Sequence, residues 1–224
     1  MPDPSPLWLT LKLATVTTGL LLLVGIPIGY WLAYTRTRLR PVAEAVLSLP
    51  LVLPPSVLGF YWLLAFSPAG RLGTLLHEWL GLQLVFSFEG LVLASVVYSL
   101  PFMVQPVHAG LVNLPGSLRE AAYTLGKSPL QTAFRVLLPN VKTAIFTGAV
   151  LSFAHTIGEF GLVLMIGGNL AGETRVASIA VYDEVESLNY AAAHGYSAIL
   201  LALSFAILLF VYVINHRLGR RPAR

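Results

Sequence analysis

The stretch SLREAAYTLGKSPLQTAFRVLLP, Ser117 to Pro139, is polar and basic, with strongly apolar sequence on both sides. It reads as two short helices joined by a break. Ser117 and Glu120 have the spacing of a capping box, with Pro115-Gly116 just ahead of them. Gly126 ends the first helix, because glycine takes the left-handed position beyond a helix terminus with little penalty. Ser128, Pro129 and Gln131 open the second helix as cap, first helical residue and box partner, and Leu138-Pro139 closes it. Ala121 and Ala122 give the first helix a face without bulky side chains, which another protein's backbone can approach closely.

The sequence around this stretch belongs in a membrane. Of 224 residues, 56% are hydrophobic and only 11% charged, against about 25% charged in a soluble domain. There is no cysteine, which excludes a disulfide framework and a thiolate metal site. The net charge of +4 is not gathered into one patch, so nucleic acid is not an expected partner. No repeat, low-complexity run or long linker divides the chain. It reads as one domain, 1–224, with a core of about 10–214, the polar loop at 115–139 and a basic tail at 215–224.

Five apolar runs can cross about 30 Å of hydrocarbon: Leu13–Tyr34, Val42–Phe66, Gly90–Leu111, Val141–Ile166 and Ala191–Ile214. Leu7 to Lys12 either extends the first span or lies along the interface. The opening MPDPSP carries no base, and the cluster Arg36, Arg38, Arg40 follows the first apolar run. That order is expected to keep the run as a span rather than a cleaved signal. Arg119, Lys127, Arg135 and Lys142 flank the turn between spans three and four, and Arg217, Arg220, Arg221 and Arg224 follow span five. These eleven of the 14 Lys and Arg residues fall on one side if odd-numbered spans run inward. The positive-inside rule then predicts an external N-terminus, a cytoplasmic C-terminus and a cytoplasmic Ser117–Pro139.

Within the spans, Gly25 and Gly29 have the GxxxG spacing of close helix packing, with Pro27 between them. Pro50, Pro54 and Pro55 cannot all sit in one regular helix. Span two is therefore either broken beside a path or kinked near the interface. Gln105 and His108 share a face near the inner end of span three and read as hydrogen-bonded groups between helices. In span four, Ser152, His155, Thr156 and Glu159 stand at i, i+3, i+4 and i+7, one polar stripe on an apolar helix. Polar groups at membrane depth are costly, so the stripe lines either a translocation path or gate, or a polar seam satisfied between packed helices. Outside the membrane, Ser67–Phe88 is a loop with a short helix near Leu75–Leu80. Gly167 to Arg175 is a glycine-rich loop, and Val176–Ser187 an amphipathic helix.

Ser117–Pro139 resembles the coupling loop of ABC importer permeases. The family pattern is Glu-Ala-Ala, three residues, glycine, nine residues, an aliphatic, any residue, Leu-Pro. It is met by Glu120, Ala121, Ala122, Gly126, Val136, Leu138 and Pro139. Val136, in place of the usual isoleucine, is a mild departure. The alternative reading of this segment is an ordinary amphipathic hairpin. Leu49–Pro55, Phe86–Gly90, Gly158-Glu159-Phe160-Gly161 and Gly167–Arg175 resemble the molybdate-type branch, with sulfate and tungstate permeases similar there.

The resemblance implies an all-α integral membrane protein of the type I importer permease fold, with about five transmembrane helices and a cytoplasmic two-helix coupling loop. It implies a non-enzymatic transport subunit without a cofactor of its own. The expected partners are a second copy of the chain, two cytoplasmic ATPase subunits that dock at Glu120, Ala121, Ala122, Gly126, Leu138 and Pro139, the lipid bilayer, and an external oxyanion-binding protein. That protein is expected to touch Asn169, Glu173 and Arg175. Ser152, His155, Thr156 and Glu159 are the expected path or gate residues. Relatives often carry arginine where this chain has His155.

Other motifs fail. Gly126-Lys127-Ser128 ends like a phosphate-binding loop, but the required first glycine is Ala121 and no strand precedes it. His155 and Glu159 lack a third metal ligand. A proton-linked secondary transporter would explain that pair yet leave Ser117–Pro139 without a role, and so would a membrane-embedded enzyme.

Overall fold

The computed structural model describes residues 3–219, without the side chains of Arg71, Leu80 and 215–219. All regular elements among the described residues are helices, with no strand. The basic tail at Arg217, Arg220, Arg221 and Arg224 lies outside the described residues or side chains.

α1 (Ser5–Tyr34) is one 30-residue helix despite Pro27, so Leu7–Lys12 extends the first span. Its buried positions recur every three or four residues, from Leu9 through Leu13, Thr17, Leu21, Gly25 and Gly29, and form one stripe. That stripe packs on α5 (Phe88–Val112). A β-carbon at Gly25 would stand 2.5 Å from Met103 Cγ, and one at Gly29 would stand 2.9 Å from Val107 Cγ1. The GxxxG spacing thus sets how close α1 and α5 come.

Span two is two helices, α2 (Arg40–Val52) and α3 (Pro55–Phe66), bent by 110°. Pro54 and Pro55 therefore make a true break rather than a mild kink, while Pro50 stays within α2. α4 (Arg71–Leu80) is the short helix of the following loop.

The polar loop holds α6 (Gly116–Thr124) and α7 (Pro129–Thr132), then a π-helical turn at Ala133–Leu137 and α8 (Leu138–Asn140). Two expectations need correcting here. Ser117 does not cap α6, because the helix begins one residue earlier and Pro115 occupies the cap position without a side-chain bond. Pro139 does not close the second helix, which runs on to Asn140. Proline has no N–H for the helical ladder, and the wider π turn just before it absorbs the mismatch. By contrast, Ser128 and Gln131 form both bonds of the capping box, and Gly126 has φ +72°. Around Gly126, Lys127 N–H donates to Ala122 O and Gly126 N–H to Tyr123 O, the paired closure of a Schellman motif.

α9 (Lys142–Ile157) follows, set at 74° to Pro129–Asn140. Its 16 residues rise about 24 Å, short of a full crossing. α10 (Gly161–Gly167) carries the chain further after a break at Gly158–Phe160. Span four is therefore interrupted, which the unbroken i, i+3, i+4, i+7 pattern had concealed. α11 (Ala177–Glu186) and α12 (Tyr190–Gly219) complete the chain.

The ends of the bundle are chemically distinct. At one end, Tyr196 Oη donates to Asp3 O, Ala177 N–H to Thr10 Oγ1, and Phe86 N–H to Ile166 O. At the other, Tyr34 Oη reaches Leu111 O and the Arg119 guanidinium lies over the Tyr34 ring. α1, α5 and α12 thus run in one direction, with 167–187 at their starts and Ser117–Pro139 at the opposite end.

The two glycine-bearing stretches at the first end interlock. Gly168 (φ +63°) lies under the Phe86 ring, where a β-carbon would be 2.5 Å from Phe86 Cδ1. At Gly90 a β-carbon would fall 1.5 Å from Leu84 O. Gly90→Ala is therefore expected to lose about 2 kcal/mol or more of stability through overpacking, whereas Gly116→Ala, with nothing within 4 Å, should be neutral or slightly stabilising. Thermal unfolding of the two variants in detergent tests the contrast.

Candidate functional site: a cavity between two helix breaks

The two interrupted spans meet at their interruptions. A β-carbon at Gly161 would lie 3.4 Å from Pro55 Cβ and 3.4 Å from Ser56 N, and Gly59 of α3 packs on Met165 of α10. Glycine at 59 lets α3 and α10 approach, since a β-carbon there would fall 2.8 Å from Met165 Cβ. Around the junction is a cavity of 620 Å³, bordered by Pro55, Ser56, Tyr98, His155, Glu159 and Gly161 among others.

α9 and the break supply the polar groups, and α5 answers them. Ser95 and Ser99 lie one turn apart on α5 and are both fully buried. Ser95 Oγ donates to Glu159 Oε2 at 2.5 Å. Ser99 Oγ lies 2.9 Å from His155 Nδ1 and 3.2 Å from Thr156 Oγ1, and Thr156 Oγ1 donates to Ser152 O. The His155 ring is stacked on Phe102 (centroids 4.1 Å apart, 27°) and tilted against Tyr98 (4.7 Å).

Glu159 is not on the helix with the other three. It sits in the break, 3% exposed, with its own carbonyl accepting from Ser178 Oγ. Its Oε1, like Ser152 Oγ, has no hydrogen-bond partner among the described residues. No cation pairs with it among them either, so the carboxyl is held by one hydroxyl in a mostly apolar setting. Such a group is readily disturbed by small movements of its neighbours. No cluster of three or more His, Cys, Asp or Glu suited to a metal occurs among the described residues.

Composition alone did not single out Ser95 and Ser99. They stand at i and i+4 within an apolar run, and the one available signal was that spacing opposite a second polar stripe.

The expected contact residues for an external protein are divided. Asn169, at φ +61°, donates from Nδ2 to both Asp183 carboxylate oxygens at 2.8 Å and accepts from Arg175 Nε at 2.7 Å. Arg175 also lies 3.5 Å from Asp183 Oδ2. Asn169 and Arg175 therefore tie the loop to α11, with Asp183 as the partner that sequence reasoning missed. Thr174 is buried, accepting from Leu170 N–H and donating to Gly167 O. Glu173 is exposed.

At the opposite end, Glu120, Ala121, Gly126 and Pro139 are exposed and Leu138 is half-buried. Ala122 is buried, so the two alanines do not share the outer face; residues one apart on a helix point about 100° apart. The apolar surface of the loop comes instead from Leu125, Leu130 and Phe134, all exposed.

Comparison with known proteins places these features in a family. The model for "Binding-protein-dependent transport system inner membrane component" matches residues 25–224. The molybdenum transport system permease protein ModB of Azotobacter vinelandii is 48% identical over 211 residues, covering 94% of this chain and 93% of that protein. The sulfate transport system permease protein CysT of Salmonella typhimurium is 33% identical, covering 86% and 71%. Among solved structures, a chain of the inward-facing MetNI methionine ABC transporter superposes with a TM-score of 0.73 at 20% identity, covering 97% of this chain and 99% of that one. That likeness carries the fold.

Removing the hydroxyl that holds Glu159 leaves a buried carboxyl without its hydrogen bond. Ser95→Ala is expected to lower stability by about 1–3 kcal/mol, read from the unfolding midpoint. Val97→Ala, at an exposed position on the same helix, should change it far less.

Proposed function

Because the chain belongs to the binding-protein-dependent transport system inner membrane component family, we propose that it is the membrane-spanning permease subunit of an ATP-driven molybdate importer. The likeness to ModB over nearly the full length of both chains carries the choice of molybdate. The likeness to CysT supports sulfate as the second reading, with tungstate of the same shape and charge beside it.

The chain crosses the cytoplasmic membrane with its N-terminus outside, its C-terminus and Ser117–Pro139 inside, and forms a single domain. It has no hydrolytic chemistry of its own. ATP is consumed by two cytoplasmic ATPase subunits, and an external binding protein delivers the oxyanion. Two copies of the chain enclose the path on a two-fold axis. The extensive apolar surface that one chain leaves on α2, α3 and α12 supports a partner in addition to lipid.

The mechanical route follows the backbone. ATPase subunits grip Glu120, Ala121, Gly126 and the exposed Leu125, Leu130 and Phe134. The second loop helix passes into α9 through Val141, whose N–H bonds both Leu137 O and Leu138 O. α9 carries Ser152, His155 and Thr156 and ends at the break that holds Glu159. A tilt of the loop therefore acts on the cavity through a single helix. The transporter shifts between inward- and outward-facing states because the ATPases bind the loop differently with and without ATP.

Glu159 serves this as a gate residue, not as an anion ligand. A carboxylate that coordinated molybdate would repel it, and the Ser95 bond holds the carboxyl against α5. At the outer end, Glu173 is the exposed charged residue that its loop offers to the binding protein. Asn169 and Arg175 shape the loop that presents it.

Reconstitution in vesicles tests the proposal. Molybdate uptake should require the ATPase subunits, ATP and the binding protein. Uptake driven by a proton gradient alone would instead identify a secondary transporter. Glu120→Arg should abolish co-purification of the ATPase while the unfolding midpoint stays unchanged. Glu159→Gln should alter the uptake rate severalfold and leave binding-protein affinity alone; a change confined to that affinity would remove the gate assignment.

A further inference from the structure

A second polar cavity, of 380 Å³, lies where the inner end of α1 meets α2 and α5. Arg40, Glu44, Ser48, Gln105 and His108 border it. It is separate from the junction cavity but borders the same helix, α5. Tyr98 of α5 and Pro55 of α3 border the first cavity, and Gln105 of α5 and Ser48 of α2 border the second. Seven residues along α5 separate Tyr98 from Gln105, about 10 Å.

Arg40 supplies the charge there. Its Nε donates to Glu44 Oε1 at 2.8 Å, and its Nη2 to His108 Nε2 at 3.3 Å. A guanidinium cannot accept a hydrogen bond, so His108 Nε2 is the acceptor and the ring proton sits on Nδ1. The guanidinium is fixed at two points and keeps further N–H donors without a partner among the described residues. A fixed planar fork with free donors, beside a serine hydroxyl and a side-chain amide, suits a tetrahedral dianion.

We propose that this cavity is a release subsite for the transported oxyanion at the cytoplasmic mouth, with Arg40 as its principal ligand and Glu44 as the group that keeps its hold weak. This rests on the chain being an oxyanion permease, and it goes beyond that reading by assigning residues to the exit. Glu44 competes with the anion for the guanidinium, so an anion arriving from the outer cavity is held briefly and let go. A phosphate of an anionic lipid has the same chemistry at this depth, so the test must separate the two sources.

The experiment uses the assembled transporter, nucleotide-free, in nanodiscs of phosphatidylcholine or of phosphatidylglycerol. Molybdate is titrated with the binding protein omitted, and bound metal is measured after equilibrium dialysis. Arg40→Gln is expected to weaken binding at least about tenfold. Glu44→Gln is expected to tighten it severalfold and to slow uptake, and Arg36→Gln should have no effect on binding. A purely structural Arg40–Glu44 pair would make both charge-removing variants weaken binding or leave it unchanged, and either result overturns the proposal. Equal affinity in the two lipids supports a site for cargo. Loss of molybdate binding in phosphatidylglycerol assigns the site to lipid phosphate and also overturns it. Uptake by the unmodified transporter, measured in parallel, separates failure of this subsite from failure of the importer reading.

Discussion

A backbone amide or carbonyl inside a bilayer has no water to bond to, so a span may be interrupted only where protein covers the gap or the gap borders a cavity. This chain interrupts two spans, at Leu53-Pro54 and at Gly158–Phe160. It places the interruptions against each other, with Gly161 on Pro55 and Ser56. Neither break could stand alone in lipid. Together they create the junction cavity, and much of the remaining architecture keeps them in register. The tight α1–α5 seam at Gly25 and Gly29 holds α5 in place, and α5 presents Ser95 and Ser99 to the broken span.

The polar groups of that seam are only partly satisfied: Ser99 and Thr156 form a short chain to Ser152 O, while Glu159 Oε1 and Ser152 Oγ have no hydrogen-bond partner among the described residues. Ser95 holds Glu159, and Ser99 is shared by His155 and Thr156. In an apolar setting one lost partner leaves a polar group with no substitute. The ring stack of His155 on Phe102 and Tyr98 confines the imidazole to one wall.

The two bundle ends are built on different principles. One is stapled by side chains to backbone, through Thr174, Asn169 and Asp183. The other is closed by helix-terminus chemistry, with a capping box at Ser128 and a Schellman turn at Gly126. The loop is nonetheless anchored to the bundle, because Leu137 and Val141 pack in one buried cluster with Leu21, Met103, Val107 and Leu111.

Much was legible in the residues alone. Composition decided that the chain lies in a membrane, because burying so few charges among so many apolar residues leaves no soluble surface. Gly126, Ser128 and Gln131 marked helix ends correctly, since capping is local chemistry between residues a few positions apart. The prolines at 54 and 55 announced a break, because two adjacent residues then lack the N–H of the helical ladder, whereas the single prolines at 27, 50, 101 and 106 stay within helices. Tertiary structure alone decided the rest. The interruption at Gly158–Phe160 carries no proline, and glycine and glutamate at those positions are compatible with a continuous helix. It lies where α3 packs beside Gly161. Likewise Ser95 and Ser99 acquired their hydrogen-bond partners through residues distant in sequence, and no local pattern encodes which hydroxyl will face which carboxyl across a helix pair.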